Sequence, residues 1–295
     1  MFGRSKGPET PRFGDYYVVK LIHEGEKSTV YIGEPMPGAA QVAIKLYKKQ
    51  YDKFARQSEK HYGIPSEGEV GMTLNPRADD DEATFPIVRT IEYGHEYNRR
   101  RNPRYVIMEH VDGYNLKNLI ICEHEMVRSW RPRLILQLAR AMKIIHDRGF
   151  VYRDFCPDNV LLSPKGRVKL IDAGFCAPTG IEFREKTGTP AYMSPEQLRC
   201  ERVDVTSDIY SFGVFLYELI TSRPPFTSTI SGDSLKELNA RYKEVMDQHL
   251  YAQAPPLTGK LRSEAGHLAA VIERCLRKQP EDRYQSVDEL LEALL

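Results

Sequence analysis

The sequence predicts an α+β chain in two parts: a small antiparallel β-sheet with one main helix, then a larger and mostly α-helical part. Three observations predict it. From Tyr16 to Met108 short β-branched and aromatic runs alternate with turn residues, and beyond Val111 the apolar spacing lengthens to that of helices. The 295 residues are ample for two compact parts, since a domain commonly takes about 150.

The elements follow in order. Residues 1–14, with Pro8, Pro11 and glycines among polar residues, read as a flexible leader, and order is expected to begin near Tyr16. The small part spans 15–110, with strands at 16–21, 29–34, 41–47, 88–93 and 104–109. Tyr51, Phe54, Ala55, Ser58 and Tyr62 fall at helical spacing, and Ser66 with Glu69 forms a capping box for a second helical start after Pro65. The acidic run 79–82 and the basic run 99–101 are expected at solvated loop tips.

The helical part spans 111–295. Leu134, Ile135, Leu138, Met142 and Ile145 share one face of a helix that stops at Gly149. Residues 210–220 are apolar nearly all round, as a helix at the centre of a core requires, and 268–276 and 287–295 make amphipathic closing helices.

Composition excludes several functions. Lys plus Arg number 42 against 41 Asp plus Glu, so no global field recruits nucleic acid or a lipid surface. Cys122, Cys156, Cys176, Cys200 and Cys275 are scattered without a CxxC pair, which argues against a disulfide framework or zinc site and for a reducing, cytoplasmic setting. No apolar run reaches the ~18 residues of a membrane span, and Phe2 stands where N-myristoylation needs glycine.

The chemistry is concentrated on three loops and one strand. Val42-Ala43-Ile44-Lys45 ends an apolar strand with a cation that needs an anion beside it. Tyr152-Arg153-Asp154 follows the capped helix, Asn159 lies five residues beyond Asp154, and Asp172-Ala173-Gly174 follows the apolar run 168–171. A carboxylate, a carboxamide and a second carboxylate on successive loops supply a proton acceptor and hard oxygen ligands for magnesium, which phosphoryl transfer needs. His23, His110 and His146 lack metal-site spacing and read as surface or packing residues.

These motifs, in this order, resemble the eukaryotic-like protein kinase family in its bacterial serine/threonine branch. Val106-Ile107-Met108-Glu109, the segment 188–196, Asp208 before Gly213, and Arg283 extend the resemblance over about residues 15–295. It implies a bilobal protein-kinase fold, with an N-lobe at 15–110 and a C-lobe at 111–295. It also implies ATP and Mg2+ as cofactors, and a protein substrate that offers a Ser or Thr hydroxyl.

By the same resemblance, Lys45 holds the α- and β-phosphates and pairs with Glu67. Glu69 competes for that pairing, because Gly63, Gly68 and Gly71 make the helix irregular. Asp154 orients or accepts the hydroxyl proton, and Asn159 and Asp172 bind the metal. Ile22, Gly25, Val30 and Ala43 would meet the nucleotide above, and Leu161 below. Met108 is the expected gatekeeper, with hinge bonds from Glu109 and Val111. Glu196 with Arg283 is the expected buried ion pair, and Asp208 the expected anchor of the catalytic loop. Arg153 is the expected receiver of a phosphate on the activation segment, with Thr187 the first acceptor and Thr179 the second.

Departures set the alternative. The glycine loop, residues 23–30, keeps only Gly25. Cys156 stands where the family has a lysine on the γ-phosphate, and Lys27 at the loop tip is either the candidate replacement or a solvated side chain. Ala173 replaces a phenylalanine, and Gly71 lies where a bulky residue would stack on it, which thins an apolar column and favours an inactive state. The alternative is therefore a pseudokinase that binds nucleotide or acts as a scaffold. The thinned loop also leaves a place for an activating protein partner. A small-molecule phosphotransferase is a distant third, because it would not carry the segment 188–196.

Overall fold

A computed structural model describes residues 12–95 and 103–295. The basic run 99–101 and leader residues 1–11 lie outside the described residues. The chain packs as two compact units. One holds the described residues up to Arg77 with Val88–Asp112, and the other holds Ala78–Ile87 with Gly113–Leu295. A single cut near residue 110 therefore misses an excursion, since 78–87 packs with the second unit.

The first unit is built on a six-stranded sheet in the order β1-β2-β3-β4-β6-β5. Its strands are β1 (Arg12–Phe13), β2 (Tyr16–Glu24), β3 (Ser28–Glu34), β4 (Val42–Tyr47), β5 (Thr90–His95) and β6 (Arg104–Glu109). Every pairing is antiparallel. Order begins before Tyr16, because Phe13 pairs with Tyr16 and is 6% exposed, against the rings of Tyr105 at 5.8 Å and Tyr31 at 6.5 Å. Burial of one such ring contributes about 1.5–3 kcal/mol, which outweighs the turn-forming character of its neighbours. The strand expected at 88–93 runs two residues later.

The main helix is α1 (Lys49–Tyr62), and the second helical start expected after Pro65 is the short α2 (Glu67–Thr73). Gly63 ends α1 at φ 64, a left-handed position suited to glycine. Arg104 fixes α1 to β6 through Asp52 at 2.6 Å and Glu59 at 2.9 Å. The short α2 lies flush on β5. A Cβ on Gly68 would sit 2.3 Å from the Tyr93 ring, and one on Gly71 would sit 2.2 Å from Thr90 Oγ1. Gly71, read in the sequence as a gap in an apolar column, is thus a point of close approach within its own unit.

The second unit surrounds α6 (Val205–Thr221), buried from Thr206 to Ile220. Around it lie α3 (Leu116–Ile121), α4 (Glu125–Asp147), α5 (Pro195–Arg199), α7 (Leu235–Tyr251), α8 (Gly259–Ala265), α9 (Leu268–Cys275) and α10 (Val287–Leu294). Two small sheets carry the loops of interest. One has the order β10 (Val168–Leu170), β9 (Val160–Leu162), β7 (Tyr114–Asn115), and the other pairs β11 (Ala177–Pro178) with β8 (Phe150–Val151).

Residues 78–87 join this unit through a bridge from Ile87 to Leu170 and a 2.7 Å bond from Leu170 N–H to the Pro86 carbonyl. Asp80 pairs with Arg148 at 3.3 Å, and Asp81 accepts from Ala83 N–H and the Thr84 hydroxyl. The acidic run is therefore partly engaged and is not merely a solvated tip. Among the described residues, no helix is long and apolar enough to cross a membrane.

Candidate active site

The first unit organises a cation. Strand alternation places Lys45 and Tyr47 on one face of β4, and both reach Glu67, the first residue of α2. Lys45 Nζ lies 2.9 and 3.0 Å from the two Glu67 oxygens, and the Tyr47 hydroxyl donates to Oε2. All three are buried, at 7%, 9% and 4% exposure. A carboxylate on the first turn also meets the positive end of the helix dipole. Glu69 is engaged elsewhere. It closes the capping box with Ser66, whose hydroxyl and backbone N–H bonds hold its carboxyl below the usual range. Tyr47 was missed by the sequence reading, although its spacing of two from Lys45 carried the signal.

The other expected residues of this unit line the same sheet. Ala43 pairs with Ile32 on one side and Met108 on the other, and Val30 pairs with Lys45. Met108 is buried, whereas Ile22 is 48% exposed. Glu109 accepts from Arg89 N–H at 2.9 Å, and Val111 follows β6, half-buried. Gly25 closes the β2–β3 turn, its N–H donating to the Ser28 carbonyl at 2.9 Å. Lys27 Nζ lies 5.7 Å from the centre of the Tyr51 ring.

The second unit organises the carboxylates. Between β8 and β9 the chain is pinned to α6, where the fully buried Asp208 accepts from Tyr152 N–H at 2.7 Å and Arg153 N–H at 2.8 Å. His146 Nε2 lies 2.8 Å from the same carboxylate, so this histidine is a part of the anchor rather than an ordinary packing residue. The pinning holds Arg153 at φ 68, in the left-handed region that costs a non-glycine residue about 1–2 kcal/mol. Asp172 adopts the same φ, its carboxylate accepting from Gly174 N–H at 3.0 Å. The Tyr152 hydroxyl donates to the Ile171 carbonyl and ties the two loops together.

Asp154 is oriented from two sides. Asn159 Nδ2 donates to its Oδ2 at 2.9 Å, and Thr189 N–H donates to its Oδ1 at 2.7 Å. With its nitrogen so committed, Asn159 presents Oδ1 as an acceptor, and Asp172 offers a second hard oxygen donor. That donor set fits magnesium, which is held by one or two protein oxygens together with phosphate oxygens. Leu161 sits half-buried on β9, opposite Asn115 and Lys169. Cys156 is 1% exposed, its thiol 3.8 Å from the Thr189 hydroxyl. Burial first, then Asp154 and Asp158, push that thiol up, so it stays neutral.

The rest of the segment is held as firmly. Arg153 donates to the Thr187 hydroxyl and lies 3.4 Å from the centre of the Phe183 ring. Thr179 bonds to the Gly149 carbonyl at 3.1 Å. Arg283 meets Glu196 in a two-point pair at 2.7 and 2.9 Å, both residues buried, with Ser207 donating at 2.6 Å. Burial pushes the Glu196 carboxyl up, but Arg283 and Ser207 outweigh it and leave it below the usual range.

The protein kinase domain family matches residues 16–294. A probable serine/threonine-protein kinase of Streptomyces coelicolor is 30% identical over 283 residues, which are 94% of this chain and 39% of that protein. The serine/threonine-protein kinase PknB of Mycobacterium tuberculosis is 29% identical over 281 residues, covering 93% of this chain and 41% of PknB. A probable PknB of Corynebacterium glutamicum is 30% identical over 291 residues, with 93% and 41% covered. The chain spans about two fifths of the length of these relatives. A match over nearly the whole chain agrees with an antiparallel sheet that carries a lysine–glutamate pair and a helical unit that carries the oriented aspartate, and on that agreement the chain belongs to the protein kinase family.

Proposed function

We propose that the chain is an ATP- and magnesium-dependent kinase that transfers the γ-phosphate to a Ser or Thr hydroxyl of a protein substrate. The observation that carries this reading is the setting of Asp154. A free carboxylate would rotate, whereas here Asn159 fixes one oxygen and a backbone N–H of the segment 188–196 fixes the other. A carboxylate held in that way can receive a hydroxyl proton without reorganising, a contribution of about 10²–10⁴ in rate. Magnesium bound with ATP would neutralise charge between the phosphates, and Asn159 and Asp172 would hold it. Lys45, aimed by Glu67, whose carboxylate Tyr47 also holds, would hold the α- and β-phosphates. The adenine would rest on Ile22, Gly25, Val30, Ala43 and Leu161, beside Met108, Glu109 and Val111.

Thr187 is the proposed phosphate acceptor on the segment, because Arg153 already reaches its hydroxyl. The five cysteines, all free thiols, support a reducing, cytoplasmic setting. Incubation with labelled ATP and magnesium, beside an Asp154→Asn control, tests the reading. Label on a protein acceptor with wild type alone is the expected result. ATP-dependent thermal stabilisation without any transfer would make the chain a nucleotide-binding pseudokinase.

A further inference from the structure

Two side chains of β4 donate to the buried Glu67 carboxylate, and one of them has a second task in the kinase reading. Lys45 Nζ reaches both oxygens, at 2.9 and 3.0 Å, and the Tyr47 hydroxyl donates to Oε2. A lysine ammonium carries three N–H donors, so contacts to the α- and β-phosphates draw at least one of them away from Glu67. At 9% exposure the carboxylate has little water to replace a lost donor.

The other donor is clamped. The Tyr47 ring is buried and lies nearly parallel to the Tyr51 ring of α1, with centres 5.9 Å apart and planes 9° apart. The Arg104 guanidinium lies 5.5 Å from its centre, and Arg104 is itself fixed to α1 by Asp52 and Glu59. A ring so held has few angles left to turn, so its hydroxyl stays aimed at little further entropic cost. The same ring spans the helix break: Gly63 ends α1 and Ser66 caps α2, while Tyr47 meets Tyr51 on the first helix and Glu67 on the second.

We propose that Tyr47 is a positioning residue for nucleotide binding: it keeps Glu67 satisfied and in place while Lys45 turns its donors toward the phosphates. The inference rests on the kinase reading above and deepens it, because it assigns part of the affinity for ATP to a side chain that acts through Glu67. Without the hydroxyl, Lys45 alone serves the carboxylate and the phosphates, and each phosphate contact weakens the ion pair. The hydroxyl therefore sets how tightly ATP is held and leaves the orientation of Asp154 to Asn159 and Thr189. Its loss is read in KM for ATP more than in kcat.

The test is calorimetric titration of ATP with magnesium into wild type, Tyr47→Phe, Glu67→Gln and the double variant, with urea midpoints measured on the same proteins. Tyr47→Phe keeps the ring contacts and should raise Kd about tenfold, the worth of one hydrogen bond to a charged group, with KM for ATP rising alongside. In the Glu67→Gln background the same substitution should change Kd by less than about twofold, because the charge that the hydroxyl stabilises is gone. Tyr51→Leu, which removes the ring stacked on Tyr47, should weaken ATP binding in the same direction, and it serves if Tyr47→Phe does not fold. A lowered urea midpoint with an unchanged Kd would make the hydroxyl purely structural and overturn the proposal, as would equal effects in the two Glu67 backgrounds. A wild type that binds ATP but transfers no phosphate strikes the enzyme reading alone and leaves the Kd comparison decisive, whereas one that binds no ATP overturns both.

Discussion

His249 carries a pH dependence that can be worked through from its surroundings. It is fully buried on α7, with Nδ1 3.0 Å from the Tyr210 hydroxyl and Nε2 3.0 Å from the Ala191 carbonyl. The Phe226 ring lies against it at 4.7 Å, and Lys278 Nζ donates to its carbonyl at 2.7 Å. Burial first, and the Lys278 charge second, push the imidazole down to about 3 from 6.5. Between those values the unfolded chain binds a proton that the folded chain does not, so stability rises with pH. The contribution is complete above 6.5 and is lost progressively as pH falls toward 3. From 6.5 to 5 is 1.5 pH units, and at about 1.36 kcal/mol per unit the loss is about 2 kcal/mol. Urea unfolding at pH 7.5 and pH 5.0, for wild type and His249→Gln, isolates it, because other titrating groups cancel in the difference. Wild type should lose about 2 kcal/mol more than the variant over that interval. Equal losses, or an imidazole that titrates near 6.5 by NMR, would refute the reasoning.

Asp172→Asn should abolish the extra thermal stabilisation that magnesium adds to ATP, and differential scanning fluorimetry with and without metal reads it; wild type with magnesium and ATP at 100 Kd should be stabilised by about 2.7 kcal/mol in all. Gly71→Ala should destabilise the chain by about 1–3 kcal/mol in chemical unfolding, because its Cβ would lie 2.2 Å from Thr90 Oγ1 and α2 must lift from β5. Thr187→Ala should remove segment phosphorylation in mass spectrometry and lower turnover, with Thr179→Ala having the smaller effect. Full activity in the double variant would mean that the segment needs no phosphate on either residue.

The part of the site that was legible in the sequence is the part whose chemistry is fixed by chain spacing. Asp154 and Asn159 are five residues apart because one turn must return the amide to the carboxylate, and the structure closes that bond at 2.9 Å. Lys45 at the end of an apolar strand announced a buried cation in the same local way. Thr189 N–H, 35 residues from Asp154, and His146, 62 residues from Asp208, act through distance in space, and no local pattern marks them. Tyr47 lay between the two cases, legible as a face of β4 but not as a partner of Glu67. Phe13 shows tertiary burial overriding local character, since the prolines and glycines before it suggested a leader. The helix break was half-written, because Gly63 and Pro65 announced an interruption without saying that the second piece would dock on β5.

The departures from the family pattern fall into two classes with different physical consequences. Gly71 touches the framework, where its effect is reversed: the missing side chain lets α2 press on Thr90, and Glu67, at the start of that helix, is held by two groups of the sheet. Ala173 belongs to a loop that the Tyr152 hydroxyl and the Asp172 carboxylate tie down without a ring at position 173. The thinned glycine loop and Cys156 are of the other class. They remove amide freedom and one positive charge from the groups expected at the phosphates and leave the positioning of Lys45, Asp154 and Asn159 intact. Loss of framework would silence transfer at any ATP concentration. Loss of phosphate contacts instead raises the KM for ATP and slows the chemical step, while the dependence on Asp154 survives. The intact hydrogen bonds around Asp154 and Glu67 favour the second outcome, a slow kinase with a weak hold on ATP over a scaffold that has lost its chemistry.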